Sequence, residues 1–163
     1  SPTLSINTIS LNSGKTIDRC IESVKRQTVK PAEYIVIDGQ SSDNTLVFVK
    51  KALREGTVSK LICEVDMGVS DAFNKAWKAS NSDYVVSLNS DDWIEPNFIS
   101  LAADCISKDD PDIVISYLNF DTGRKNRILK PKLNTGVNND SKDKKIEPVS
   151  IDLIILVNSF VDA

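Results

Sequence analysis

Short apolar runs alternate with amphipathic stretches along the first two thirds of this chain, and that alternation constrains the fold more than any other feature. Residues 4–9 alternate as a half-buried strand. After the polar break Asn12, Ser13, Gly14, the residues Ile17, Cys20, Ile21 and Val24 recur at the spacing of one helical face. Pro31 closes that helix, and residues 34–37 form a continuous apolar run of the kind buried on both faces of a parallel sheet. Leu46, Val47, Val49 and Leu53 give a second helical stripe and residues 60–64 a third short strand. Val69, Ala72, Phe73, Ala76 and Trp77 make a third helix face, and residues 84–88 a fourth strand. Repeated strand and helix units with short connections predict an α/β fold, a doubly wound and mostly parallel sheet with right-handed crossovers. Phe98, Leu101, Ala102 and Cys105 mark a further helix, residues 113–117 a further strand, and residues 120–124 a hairpin turn leading into Ile128 and Leu129.

At 163 residues the chain has the length of one domain and can bury roughly 70% of its unfolded surface. A formal charge of −3 without a basic stripe argues against a nucleic-acid partner. Histidine is absent, which excludes His-based triads, metal sites and general bases within these residues. Cys20, Cys63 and Cys105 lie far apart with no C-x-x-C pair and read as reduced thiols buried as small hydrophobes, so the expected compartment is the cytoplasm. No run approaches the ~18 apolar residues of a spanning helix. The first residue is not methionine and the last apolar segment stops at Ala163 without a cap, so a piece of a longer protein is expected. Residues 134–145 are polar, charged and without periodicity and read as a mobile loop.

The chemistry lies at the strand ends. The fourth strand runs into Asn89, Ser90, Asp91, Asp92 and Trp93, which places adjacent carboxylates in the crevice where open α/β sheets bind ligands. An Asp-Asp pair there also serves as a turn or helix cap. The second strand ends at Asp38, which on sequence grounds has no local backbone duty and can accept from a ligand N–H or hydroxyl. Gly39 permits a tight turn, Ser41 or Ser42 supplies a hydroxyl, and Asp43 reads as a structural cap for the next helix. The third strand leads through Glu64, Asp66 and Gly68 to a helix start, a loop whose N–H groups can attract phosphate oxygens. Asp71 and Asn74 lie one turn apart on that helix, away from Phe73 and Trp77. Each loop alone has a structural reading, but three carboxylate-bearing loops along one sheet edge point to a bound ligand. An acidic site that accepts a diphosphate needs a divalent cation to bridge the two, and Mg²⁺ or Mn²⁺ on Asp91 and Asp92 fits. Neither G-x-x-x-x-G-K-[ST] nor G-x-G-x-x-G is present, which disfavours P-loop ATPases and dinucleotide dehydrogenases.

Taken in order, residues 35–45 (IVIDGQSSDNT), the series Glu64-x-Asp66-x-Gly68-x-x-Asp71-Ala72-x-Asn74-Lys75-Ala76, and residues 88–92 (LNSDD) closely resemble the family 2 inverting glycosyltransferases of the GT-A fold. The resemblance runs from about residue 4 to 115. It implies a Rossmann-like nucleotide-sugar-binding core over residues 1–133, in which the first two strand ends hold the base and ribose of a UDP-sugar. Nucleotide contacts are thereby implied for Thr8 and Asp38, with Asp66 along the donor and Asp71 and Asn74 behind it. The family's DXD-type motif falls on residues 89–92, with Asp92 as metal ligand and Asp91 beside it toward the ribose. Asn89 stands where many members have aspartate and can still orient a hydroxyl or a water. The implied activity is bacterial-type, metal-assisted transfer of a hexosyl or N-acetylhexosaminyl group, with inversion, to a glycan or lipid-linked acceptor in polysaccharide biosynthesis. The implied location is the cytoplasm or the periphery of the inner membrane. Relatives carry a general base in a Glu-Asp pair well after the metal motif, and none follows Asp92 here. Asp152 and Asp162 have no supporting pattern, so the base is unassigned. Residues 134–163 are expected to be a mobile polar loop and a truncated or rearranged acceptor-side segment. The competing readings are a non-catalytic nucleotide-binding module and a Mg²⁺-binding signalling domain. The latter needs a lysine on a later loop, where only Lys130 and Lys132 offer themselves.

Overall fold

The computed structural model describes residues 2–109 throughout and, beyond them, the backbone of four strands. In chain order the elements are β1 (Leu4–Ser10), α1 (Ile17–Lys25), β2 (Glu33–Asp38), α2 (Thr45–Arg54), β3 (Lys60–Cys63), α3 (Val69–Ala79), β4 (Tyr84–Ser87) and α4 (Phe98–Asp109). The later strands are β5 (Ile113–Ile115), β6 (Leu118–Asp121), β7 (Asn126–Leu129) and β8 (Ile154–Val157). The main sheet has the order β3-β2-β1-β4-β8-β5, and β6 and β7 pair separately. Strands β1 to β4 are mutually parallel, as the alternation predicts. Strand β8 runs antiparallel between β4 and β5. The expected hairpin exists as the antiparallel β6–β7 pair, while its turn lies outside the described residues. The division expected after residue 133 also falls outside them, yet β8 from the expected second part is a strand of the main sheet. The mobile loop expected at residues 134–145 likewise lies outside the described residues.

From β1 the chain steps outward to β2 and β3 on one side and returns to β4 on the other, so the strand order reverses at β1. Such a reversal opens a crevice beyond the carboxyl ends of the two diverging strands. One core lies on the α1, α2 and α4 face, where Ile6, Ile17, Cys20, Tyr34, Val36, Val49 and Phe98 are fully covered. A smaller one, with Ile35, Ile37, Ala72 and Ala76, lies under α3. Each of the Ile and Val side chains among them contributes about 1.5–3 kcal/mol by leaving water.

The central position of β1 overturns the half-buried reading of residues 4–9. Ser5, Asn7 and Thr8 are all fully buried, because helices cover both faces. Ser5 tolerates this through a 2.7 Å hydrogen bond with Ser80, and Thr8 through one of 3.2 Å with Tyr34 Oη. The stripe expected on α2 also shifts: Val47 is 65% exposed, and Thr45, Val49 and Ala52 face inward. Val69 opens α3 in solvent, 64% exposed. Cys20 is buried as expected, but Cys63 is exposed, since it ends the edge strand β3.

Candidate functional site

The carboxyl ends of β1 and β2 are locked together by polar contacts. Asp38, the last residue of β2, is fully buried. Its Oδ2 accepts from Ser10 Oγ at 2.9 Å and Ser41 Oγ at 2.7 Å, and its Oδ1 accepts from the Ser41 N–H at 2.7 Å. The premise that Asp38 has no local backbone duty therefore fails: it caps its own loop, and remaining lone pairs are what it has for a ligand. The Cys63 thiol also donates to Oδ1, at 3.7 Å. Asn12 (φ 51°) and Gln40 (φ 64°) take left-handed conformations at the two strand ends. The Asn12 N–H donates to Ser41 Oγ and its side-chain oxygen accepts from the Ser42 N–H. Asp43 accepts from the Thr45 N–H and hydroxyl and from the Gly14 N–H, and Thr45 Oγ1 in turn accepts from the Ser13 N–H. Those donors, Thr45 foremost, hold the Asp43 carboxyl below its usual range. The structural role read for Asp43 is what it performs, tying two loops as well as opening α2. Thr8 sits one layer behind the edge, its hydroxyl among Tyr34 and Cys20.

The β3–α3 loop closes on the same edge. Asp66 Oδ1 accepts from the Gly68 N–H at 2.9 Å, with Gly68 at φ 108° where a side chain would be strained. Asp66 Oδ2 lies so close to Gly39 that a Cβ there would meet it at 2.9 Å, with Leu11 Cδ1 at 3.3 Å. A glycine at this position lets the two loops approach. Asp71 accepts from the Met67 N–H at 3.0 Å and pairs with Lys75 at 2.9 Å, and both hold its carboxyl below the ordinary value. It stands behind the loop and fixes it. Asn74 is exposed on α3 one turn further on.

At the β4 end, the Leu88 N–H donates to Asn7 O at 2.9 Å and carries the pairing one residue beyond the strand. The chain then turns: the Asp92 N–H donates to Asn89 O at 3.1 Å, and the Asn89 amide donates to Asp92 Oδ2 at 3.3 Å. Asp91 is exposed and Asp92 half-buried. Burial first, and then the neighbouring Asp91 charge, push the Asp92 carboxyl above its usual range; the Asn89 amide and Arg19 pull it partly back. A carboxylate whose charge is disfavoured by burial and a like charge gains from a cation. Among the described residues there is no group of three or more His, Cys, Asp or Glu that could hold a metal. Two adjacent carboxylates fit Mg²⁺ or Mn²⁺ only as those ions usually bind, with remaining oxygens from water and phosphate.

Contacts from α1 and its preceding loop hold this turn, and sequence reasoning did not find them. Ser13 Oγ and Ser90 Oγ lie 2.7 Å apart, Cys20 Sγ donates to Asn89 O at 3.4 Å, and Arg19 Nη2 donates to Asp91 O at 3.0 Å. The Arg19 guanidinium also lies 3.9 Å above the Trp93 ring. Burial pushes the Cys20 thiol up to about 11, so it remains a neutral donor. The loops thus meet in pairs: Asp66 against Gly39, Ser10 on Asp38, and Ser13 on Ser90 of the acidic turn. Asp152 and Asp162 lie outside the described residues.

A sequence profile of the family described as "Glycosyl transferase family 2" matches residues 5–155. Chondroitin synthase of Escherichia coli is 32% identical over 108 residues, which make up 66% of this chain and 16% of that protein. The chain therefore spans a small part of this relative's length. The structure of S. aureus TarS 1-349 in complex with UDP-GlcNAc matches with a TM-score of 0.68 and 25% identity, over 76% of this chain and 36% of that one. A mannosyltransferase of Pyrobaculum calidifontis, PcManGT, in complex with GDP-Man and Mn²⁺, shares the fold at a TM-score of 0.64 and 19% identity, over 72% and 36% of the two chains.

Proposed function

The chain belongs to glycosyl transferase family 2, and on that premise we propose that it binds the UDP-sugar donor of a metal-assisted, inverting glycosyl transfer to an acceptor hydroxyl. The observation that carries this reading is the placement of Asp38, Asp66, Asp91 and Asp92 beyond the carboxyl ends of β2, β3 and β4, on one sheet edge beside the β1 reversal, with the Ser10–Asp38 and Ser13–Ser90 hydrogen bonds and the approach of Asp66 to Gly39 tying the loops. Family membership also removes the signalling-domain alternative.

Asp38, held rigid by Ser10 and Ser41, presents its spare lone pairs to a base N–H, and Thr8, bonded to Tyr34 Oη, stands behind the end of β1 on the nucleotide side. Asp66 lines the donor, while Asp71 pins its loop and Asn74 stands behind. Asp91 reaches toward the ribose, and Asn89 orients Asp92. Asp92 with Asp91 would hold Mg²⁺ or Mn²⁺, which when bound neutralises charge developing on the departing diphosphate. The TarS complex with UDP-GlcNAc supports a UDP donor, and the Mn²⁺ of the mannosyltransferase complex supports a divalent cation. Transfer with inversion requires the acceptor hydroxyl, on a glycan or a lipid-linked chain, to attack the anomeric carbon opposite the diphosphate. A general base removes its proton. The family resemblance favours a whole protein at work in the cytoplasm or at the inner membrane's periphery. Among the described residues, no helix is long and apolar enough to cross a membrane.

One second reading has a specific motive. No Glu-Asp pair follows Asp92, so this chain can serve as a binding module without transfer. Calorimetry of UDP with Mn²⁺, repeated with the metal chelated, tests the donor site. Metal-dependent binding that is lost in Asp92→Asn is the expected result; equal binding in wild type and variant sinks the assignment. Product formation from UDP-GlcNAc and a glycan acceptor then separates enzyme from module.

A further inference from the structure

Arg19 and Trp93 are not explained by core packing. Arg19 points away from the buried stripe of α1 (Ile17, Cys20, Ile21, Ser23, Val24) and is exposed. Trp93 leaves 37% of its surface in solvent. An exposed indole and an exposed guanidinium nevertheless meet at 3.9 Å, while an N–H of the same guanidinium reaches Asp91 O at 3.0 Å. A planar guanidinium can stack with its face and donate with its edge at once, which a lysine ammonium cannot. The two contacts bracket the acidic pair: Arg19 holds the carbonyl of Asp91, and Trp93 follows Asp92 directly.

We propose that Arg19 and Trp93 form a clamp between α1 and the β4–α4 turn that fixes the backbone of Asp91 and Asp92 and so sets how their carboxylates meet a divalent cation. The proposal rests on the reading of Asp91 and Asp92 as metal ligands. Arg19 is a positioning residue in it, acting through Asp91 O and the Trp93 ring.

The sign of one effect separates a clamp from a mere neighbouring charge. Arg19 is cationic, so through space it repels a bound cation, and loss of its charge alone tightens metal binding. Loss of a clamp loosens it, because the carboxylates must then be ordered at the moment of binding. Charge and geometry act in opposite directions here.

The test titrates Mn²⁺ into the UDP-saturated protein by calorimetry and, separately, UDP into the chelator-treated protein. Both run on wild type, Arg19→Ala, Arg19→Lys, Trp93→Leu and Trp93→Phe. Arg19→Ala and Trp93→Leu each weaken Mn²⁺ binding about fivefold, as loss of an exposed cation–π contact and its hydrogen bond should. Arg19→Lys stays close to Arg19→Ala, and Trp93→Phe retains most of the affinity. The double variant Arg19→Ala/Trp93→Leu loses little more than either single one, since each removes the same contact. Metal-free UDP binding falls by less than the Mn²⁺ affinity does, the loss being what displacing Asp91 from the ribose costs. Unchanged or tighter Mn²⁺ binding in Arg19→Ala overturns the clamp. So does an equal loss of metal-free UDP binding, which would make Arg19 a direct diphosphate contact. A wild-type protein that binds UDP without any metal dependence instead defeats the metal-site reading, and the clamp with it. Arg19 is exposed, so melting temperatures within about 2 °C of wild type are expected for its variants.

Discussion

Gln27 links the end of α1 to the start of α4, and its replacement tests whether that junction supports the acidic turn. The side chain is 2% exposed. Its amide nitrogen donates to Ser23 O at 3.1 Å and Glu95 O at 2.6 Å, and its oxygen accepts from the Ile99 N–H at 3.0 Å. Ser23 O, in the last turn of α1, loses a donor that the Gln27 N–H does not replace, because that N–H bonds Val24 O, whereas Glu95 O also accepts from the Phe98 N–H and is not orphaned by a substitution. Ile99 N–H is different. It is a first-turn donor of α4, with no intrahelical partner, in a residue that is 2% exposed. Gln27→Leu keeps the volume and leaves that donor unpaired at about 1–3 kcal/mol, and the two lost donations add about 0.5–1.5 kcal/mol each. Allowing for partial relaxation, a destabilisation of about 2–4 kcal/mol is expected in urea unfolding, with an unchanged denaturant slope. At roughly 2–4 °C per kcal/mol the melting temperature falls by about 10 °C. Gln27→Glu should not rescue, because a carboxylate then faces the Glu95 carbonyl. A Gln27→Leu protein within about 0.5 kcal/mol of wild type would refute the claim that this buried amide holds the junction.

Asp92→Asn removes a charge that burial and Asp91 disfavour, so at neutral pH the variant should melt at or above the wild-type temperature while losing metal-dependent UDP binding; a clear drop in melting temperature contradicts this. Asp43 has its folded carboxyl held below the ordinary value by Thr45 and Gly14. Its contribution is complete above the unfolded value, near 3.8, and is lost as pH falls through the depressed one. Melting temperature should therefore decline more steeply below about pH 4 in wild type than in Asp43→Asn, and parallel curves would count against it. Gly14→Ala places a Cβ 2.8 Å from Asp43 Oδ2, the atom that Gly14 N–H already holds, and should cost about 1–3 kcal/mol in unfolding experiments. An Ala variant as stable as wild type would show that the loops are looser than their contacts imply.

The order of strands and helices, the parallel sheet and the acidic strand ends were legible because they depend on local pattern. Apolar runs such as residues 34–37 and the spacing of Ile17, Cys20, Ile21 and Val24 carry their own period, and a motif such as Asn89 to Asp92 is a contiguous stretch of chain. Residues 4–9 misled because Ser5, Asn7 and Thr8 look solvent-facing, while the partners that let Ser5 and Thr8 be buried, Ser80 and Tyr34, lie far along the chain. The stripe on α2 misled for a related reason: Val47 and Leu53 share its apolarity, but only the position of the helix on the sheet decides which side is covered.

The sequence alone determined the element types, the likeness to the family and the carboxylates available for a ligand, since each follows from neighbouring residues and their periodicity. Tertiary structure decided the rest. Only packing could insert β8 antiparallel between β4 and β5, give Asp38 a backbone duty, press Asp66 against Gly39, and bring Arg19 and Cys20 of α1 to the turn at Asp91. Those relations join residues far apart in the chain, 72 positions for Arg19 and Asp91 and 73 for Tyr84 and Val157. No local period encodes such a pairing; it arises when hydrophobic burial fixes the layers and the polar groups left at their edges must find partners there.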